Sequence, residues 1–381
     1  MPRGAPDVAM VGGGIGGIAA ALALHRRDIA VTVYEQAETM REAGSGLMLW
    51  PNGSRVMREL GLLEAVLACS GASTRFAIRD AGGAVLRNIP LGRFDAPALC
   101  IRRADLLAVL LAAFPADRIR LNHRLTRLRA ETEGVRLEFG SGASAIHGAV
   151  IGADGLRSQV RTALFGEIAP VYRGYTIWRG VAPYDGTGIE RGCNSETWGP
   201  GQRFGVLDTG GGRFTWYATA NLPAGTPDRP AGRKAELLAR FNRWHAPIAQ
   251  VIEQTPETAI LKNGAYDLPV LRRWGRGRVS LLGDAAHPCT PNLGQGGCMA
   301  LEDALALAQC LTEDAPIESS LRKYEALRRT RTRRVQQRSR LLGSLGQWED
   351  DILVAARRWL TRTIPTSCLE RALSEIYAFR V

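Results

Sequence analysis

The residues of this chain that could do chemistry are glycines and isolated acids. Gly12, Gly14 and Gly17 stand in G-x-G-x-x-G register, and Glu35 follows in "VTVYEQ". In mid-chain "GADG" sets Asp154 beside Gly155, and near the last quarter "LLGDAAHPCTPNLGQGG" sets Asp284 before Pro288, Pro291, Gly294, Gly296 and Gly297. No Ser-His-Asp order and no metal-ligand cluster stands beside them, so no metal is expected. The pattern is one for holding a ligand that carries its own reactivity.

Elements must position these residues. "DVAMVGGGIGGIAAALALHRRDIAVTVYEQ" predicts strand, glycine turn, apolar helix and second strand. Gly12 permits the tight turn, Gly14 lets the backbone approach a pyrophosphate, and Gly17 lets the helix pack closely on the strand. The helix start offers free N–H groups and a positive dipole end. Glu35 closes the second strand, where a carboxylate can take an adenosine ribose hydroxyl pair. This fingerprint binds a dinucleotide but does not choose between NAD and FAD. Further on, Arg41 precedes a glycine turn with Gly44 and Gly46, Pro51 and Asn52 open a helix, and Arg103 stands at the start of another.

With these residues and motifs in one order, the chain resembles the class A flavoprotein monooxygenases, the single-component FAD-dependent aromatic hydroxylases related to para-hydroxybenzoate and salicylate hydroxylases. The resemblance implies FAD as cofactor. Asp284 then accepts hydrogen bonds from the ribityl chain, with a helix N-cap as its plainer role. Pro291 stiffens the loop, and Gly294, Gly296 and Gly297 let its backbone lie against the flavin. The same resemblance gives Asp154 contacts to both FAD and a reduced nicotinamide donor, and puts Arg157 and Arg161 near the pyrophosphate unless they are surface residues. No second G-x-G-x-x-G exists, so NADH or NADPH is expected to dock transiently. The implied activity is hydroxylation of an electron-rich aromatic or heteroaromatic small molecule by O2 through a flavin C4a-hydroperoxide. The alternative is an FAD-dependent epoxidase or reductase acting on an isoprenoid or polyketide.

The expected fold class is α/β: a Rossmann-like FAD-binding domain with an inserted antiparallel β-sheet substrate domain and C-terminal helices. The expected division is 1–75, 98–172 and 268–330 for FAD, 76–97 and 173–267 for the substrate, and 331–381 for the helices. In "RFTWYATAN" alternation sets Phe214, Trp216 and Ala218 on one face and Thr215, Tyr217 and Thr219 on the other. Trp178, Trp198, Phe204, Trp216 and Tyr217 suit a flat ligand, though strand aromatics are more often core. His287 and Tyr217 are the candidate catalytic residues, and Arg179, Arg203 and Arg213 could meet an anionic substrate.

Composition sets the remaining bounds. The formal charge of +12 is concentrated: residues 321–340 hold nine Arg or Lys against one Glu. Apolar residues recur there at helical spacing, so the stretch predicts an amphipathic helix with a solvated basic face, not a nucleic-acid site. Seven scattered cysteines, including Cys289 and Cys298, predict neither disulfide scaffold nor redox chemistry. No apolar run is long enough to span a membrane, and a cytoplasmic monomer or homodimer is expected.

Overall fold

A computed structural model describes residues 7–40, 45–183, 185, 187–312 and 314–380. Arg41 and Gly44 lie outside the described residues.

Two sheets organise the molecule. The first has five parallel strands in the order Val279–Leu281, Ala149–Gly152, Val8–Val11, Val31–Tyr34 and Ile119–Arg120. The four residues of Val8–Val11 are all buried, as parallel strands covered on both faces require. The helix Ile15–His25 is apolar on nearly every side and packs against the helix Gly296–Leu311, so two segments nearly 300 positions apart share one core.

The second sheet has seven strands, in the order Leu261–Asp267, Val171–Pro183, Arg213–Asn221, Gln202–Asp208, Cys193–Gly199, Arg75–Asp80 and Val85–Pro90. Its pairings are antiparallel except that of Cys193–Gly199 with Arg75–Asp80, which is parallel. One face is covered by the helices Gly232–Phe241 and Ile248–Gln254. The other turns toward the first sheet, through Tyr175, Ile177 and Tyr217.

The basic stretch lies in one helix, Ile317–Gly346, which runs unbroken through position 330. Leu321, Tyr324 and Val335 face inward, and Arg333 and Arg334 are exposed. The expectation of a solvated basic face needs correction at Arg328 and Arg331, which are buried, because acids from a neighbouring helix meet them. The helices Asp351–Thr363 and Thr366–Tyr377 complete the chain, and Tyr377 stacks on Trp50 with ring centroids 4.8 Å apart. No helix among the described residues is long and apolar enough to cross a membrane.

Candidate active site

The glycine turn is held by close backbone packing. Gly12 has φ +108°, and a Cβ on it would lie 2.5 Å from the Ala153 carbonyl oxygen. A Cβ on Gly17 would lie 2.0 Å from the Gly12 oxygen, so only glycine lets helix and strand approach this closely. Gly14 caps the helix in ordinary extended backbone, φ −69° and ψ 177°. No side chain caps that helix and no acid occupies its first turn, which leaves N–H groups for an anion. Glu35 stands beside the turn, accepting from the Gly13 N–H at 2.7 Å and the Ala37 N–H at 2.8 Å.

Asp154 begins the next connection. Its Oδ2 accepts from the N–H groups of Gln159 and Val160 at 2.7 and 3.1 Å, while Oδ1 is buried without a partner. Burial raises the carboxyl's pKa, opposed by bonds from Ser158 and backbone N–H groups. Arg157 is exposed. Arg161, expected near a pyrophosphate, is buried and donates to the carbonyls of Ala285 at 3.0 Å and Leu156 at 2.6 Å. It therefore braces the loop that carries Asp284.

Asp284 follows the strand Val279–Leu281 at a short turn. Protein surrounds its carboxylate, yet a cleft leaves it open to solvent, and no described residue donates a hydrogen bond to it. Enclosure raises its pKa, with His287 and Arg103 opposing. Beyond it Pro291 opens a turn and Gly294 has φ +60°, where a Cβ would strike Trp50 Nε1 at 2.7 Å. Gly296 has only Cys289 Sγ and Asp284 Oδ1 near, at 3.7 and 3.9 Å, and Gly297 meets nothing within 4 Å. The helix Gly296–Leu311 starts here without an acid in its first turn. Gly46 abuts the other wall: its N–H donates to Thr215 Oγ1 at 2.9 Å, and the Arg103 N–H donates to the Ser45 carbonyl at 2.9 Å.

The loop also meets the second sheet. Asn292 Nδ2 donates to the Tyr175 hydroxyl at 3.0 Å, and Arg203 donates to Asn292 Oδ1 at 2.6 Å. Tyr217 lies on the same inner face, half-buried. Burial, with the nearby Glu196 charge, raises its hydroxyl's pKa well above the ordinary value, so it is a neutral hydroxyl.

Three of the expected ligand aromatics sit elsewhere. Trp178, Phe204 and Trp216 are buried against the helices Gly232–Phe241 and Ile248–Gln254, with Phe204 stacked on Trp216 at 5.5 Å. These are core residues of the covered face and have no access to the cleft. Trp198 is likewise buried, beneath the Arg357 guanidinium at 5.3 Å, where the C-terminal helices cover the sheet. Trp198 pairs with Arg203 and so shares the inner face with Tyr217, but of the five only Tyr217 is not fully buried.

His287 is corrected in the same way. It is buried, its Nε2 is 2.6 Å from Asp303 Oδ2, and Trp274 lies 5.0 Å away. Asp303 also accepts from Arg328 Nε at 2.6 Å, and Glu302 accepts from Arg328 and Arg331 at 2.6 Å each. Asn52 donates to Glu302 at 2.6 Å and to Gln295 at 2.9 Å. This buried network backs the loop from behind and gives His287 a positioning place instead of a catalytic one. Sequence reasoning missed Glu302, Asp303, Arg328 and Arg331. The available signal was two adjacent acids inside the apolar helix "CMALEDALALAQCL". Burial pushes the thiols of Cys289 and Cys298 up, the latter to about 12, which keeps both protonated. Among the described residues no His, Cys, Asp and Glu gather into a metal site. A groove of about 600 Å³ lined by Phe165, Ile168, Arg272, Arg273 and Arg276 shares no residue with this cleft.

The orphaned Asp154 oxygen, the undonated Asp284 carboxylate, the uncapped helix start and the open space over Gly296 and Gly297 fit a long flavin dinucleotide along one cleft. The fold and cleft define a flavoprotein. The FAD binding domain family matches residues 5–180 and 211–339, and the chain belongs to that family. Aurachin C monooxygenase/isomerase of Stigmatella aurantiaca is 40% identical over 359 residues, 93% of each chain. 6-Hydroxynicotinate 3-monooxygenase of Bordetella bronchiseptica is 34% identical over 348 residues, 88% of this chain and 90% of that one. Klebsiella pneumoniae HpxO, crystallised with FAD and uric acid, superposes with TM-score 0.91 at 29% identity, covering 98% of this chain and 96% of that one. This chain is thus an FAD-dependent monooxygenase of the aromatic hydroxylase family.

Proposed function

We propose that the enzyme consumes NADH or NADPH and O2 to hydroxylate an electron-rich aromatic or heteroaromatic small molecule. The observation that carries this reading is the Asn292 bridge. One residue of the flavin loop bonds both Tyr175 and Arg203 of the inner sheet face, so loop and sheet close one cleft with Tyr217 on its roof. In this reading Glu35 takes the adenosine ribose, and the helix start at Gly12, Gly14 and Gly17 takes the pyrophosphate. Asp154 and Asp284 would take polar groups of the cofactor, with Arg103 close to Asp284, and the Pro291–Gly297 backbone would help hold the flavin. Gly46 and Gly294 shape the approaches.

Bound and reduced, the flavin supplies activation of O2 and one oxygen atom for transfer. The chain's own groups do the rest. The sheet excludes water and orients the ring to be attacked. The uncapped start of Gly296–Leu311 favours negative charge beside it. Tyr217, a neutral hydroxyl, can donate a hydrogen bond to a ring substituent.

The test is stopped-flow reduction of the bound flavin by NADH and by NADPH across phenols, anilines, hydroxypyridines, quinolones, purines and polyenes, with mass spectrometry for one added oxygen. Slow donor oxidation alone and marked stimulation by one class are expected. A product reduced without oxygen from O2 overturns the hydroxylase reading, and oxygen added across a polyene double bond selects the epoxidase.

A further inference from the structure

The substrate side offers three arginines, and the structure treats each differently. Arg213 is exposed at a strand end beside three glycines. Arg203 is buried and satisfied by Glu196 at 3.0 Å, Gln347 at 2.8 Å and Asn292 at 2.6 Å. Arg179 is half-buried on the inner face, in register with Tyr217 on one side and Leu261 on the other, and shares that face with Tyr175 and Ile177.

Among the described residues none accepts a hydrogen bond from Arg179, and no acid is among the charges acting on it. Burial, followed by the like charge of Arg103, lowers its pKa, with Tyr175 opposing. A guanidinium does not release its proton at working pH, so the enclosed charge stays and calls for an anion. Its place is fixed by the register: Val181 pairs with Thr215, Arg179 pairs with Tyr217, and Thr215 holds Gly46. Arg179 therefore stands at the seam where the sheet's inner face meets the Gly46 turn and Arg103. The uncapped helix start that suits the cofactor's phosphates is a separate feature, at Gly14.

We propose that Arg179 is the specificity-determining anchor for an ionised group on the substrate, a carboxylate or an acidic ring hydroxyl, so that the enzyme selects anionic rings over neutral ones. This rests on reading the inner face as the substrate side. Arg203 is already neutralised and Arg213 faces solvent, so neither competes for the role. A planar guanidinium presents two parallel donors to a carboxylate and fixes the ring's orientation as well as its affinity.

The experiment titrates the oxidised holoenzyme calorimetrically with matched acid and amide pairs: salicylate and salicylamide, 6-hydroxynicotinate and its amide, 3-amino-4-hydroxybenzoate and its amide, anthranilate and anthranilamide. Expected is at least one acid binding about tenfold or more tightly than its amide, the size of a charge-assisted hydrogen bond. Arg179→Met removes the preference, Arg179→Lys keeps part of it, Arg213→Met leaves it unchanged, and all retain FAD. The proposal is overturned if no acid outbinds its amide, or if the preference survives in Arg179→Met. It is equally overturned if Arg179→Met raises the donor's KM and leaves the acid preference intact, which would assign the charge to the donor's phosphates. If Arg179→Met does not fold, the reduced preference of Arg179→Lys decides. The titrations themselves contain neither donor nor turnover, and the donor's KM is read in a separate steady-state assay, so failure of the hydroxylase reading shows separately, as absent oxygen incorporation.

Discussion

His287 Nε2 lies 2.6 Å from Asp303 Oδ2, and this contact ties the loop carrying Asp284 to the helix behind it. The same carboxylate accepts from the Gly283 N–H at 3.0 Å, one residue before Asp284. Asp303 thus holds the loop at both ends while Arg328 neutralises it.

Asp303→Asn is expected to destabilise the fold by about 3–5 kcal/mol, because it leaves Arg328 buried without one of its acids. Arg328→Gln should act likewise. Denaturant unfolding of each holoenzyme measures this, and a loss near zero would refute the bracing role.

Acid should act through the same group. Burial would raise the Asp303 carboxyl, but His287 and Arg328 outweigh it and hold it at about 2. The native carboxyl therefore binds its proton more weakly than the unfolded one, whose value is about 3.9. Its contribution, roughly 2–3 kcal/mol, is complete above the unfolded value and lost as pH falls through the native one. Unfolding free energies measured down this range should fall in the parent, with that part of the slope missing in Asp303→Asn.

Gly17→Ala and Gly297→Ala separate packing from cofactor approach. The first places a Cβ 2.0 Å from a backbone oxygen and should lower thermal stability. The second meets nothing within 4 Å of protein, so stability should hold while FAD affinity falls. Equal FAD affinity in Gly297→Ala and the parent would remove that loop backbone from the flavin.

Asp284→Ala should weaken FAD by removing charge-assisted bonds worth about 1.5–3 kcal/mol each, and fluorescence titration of the apoprotein reads the change. FAD retained as tightly as in the parent would refute the ribityl role.

Arg333→Gln with Arg334→Gln should shift stability by no more than about 0.5 kcal/mol, since both are exposed. Donor kinetics should also stay unchanged, and a large rise in the donor's KM would make this helix part of the docking groove.

Short-range chemistry dictates the parts of this molecule that were legible in its residues. A positive φ at Gly12, the strand–turn–helix around it, Glu35 at the strand end and the Asp284 loop are each set within a few residues, where backbone sterics and hydrogen bonding act. Alternation likewise separated Trp216 from Tyr217. It did not say which side is core, which was settled by long-range packing when the helices Gly232–Phe241 and Ile248–Gln254 covered Trp178, Phe204 and Trp216. The charges follow the same division. Arg179, Arg203 and Arg213 are equivalent as letters, and Arg328 reads as one more surface cation. Partners from distant segments, Glu196 and Asn292 for Arg203, Glu302 and Asp303 for Arg328, none among the described residues for Arg179, make them different. Burial energy and ion pairing depend on what the rest of the chain brings within a few ångströms, and local pattern carries no record of that.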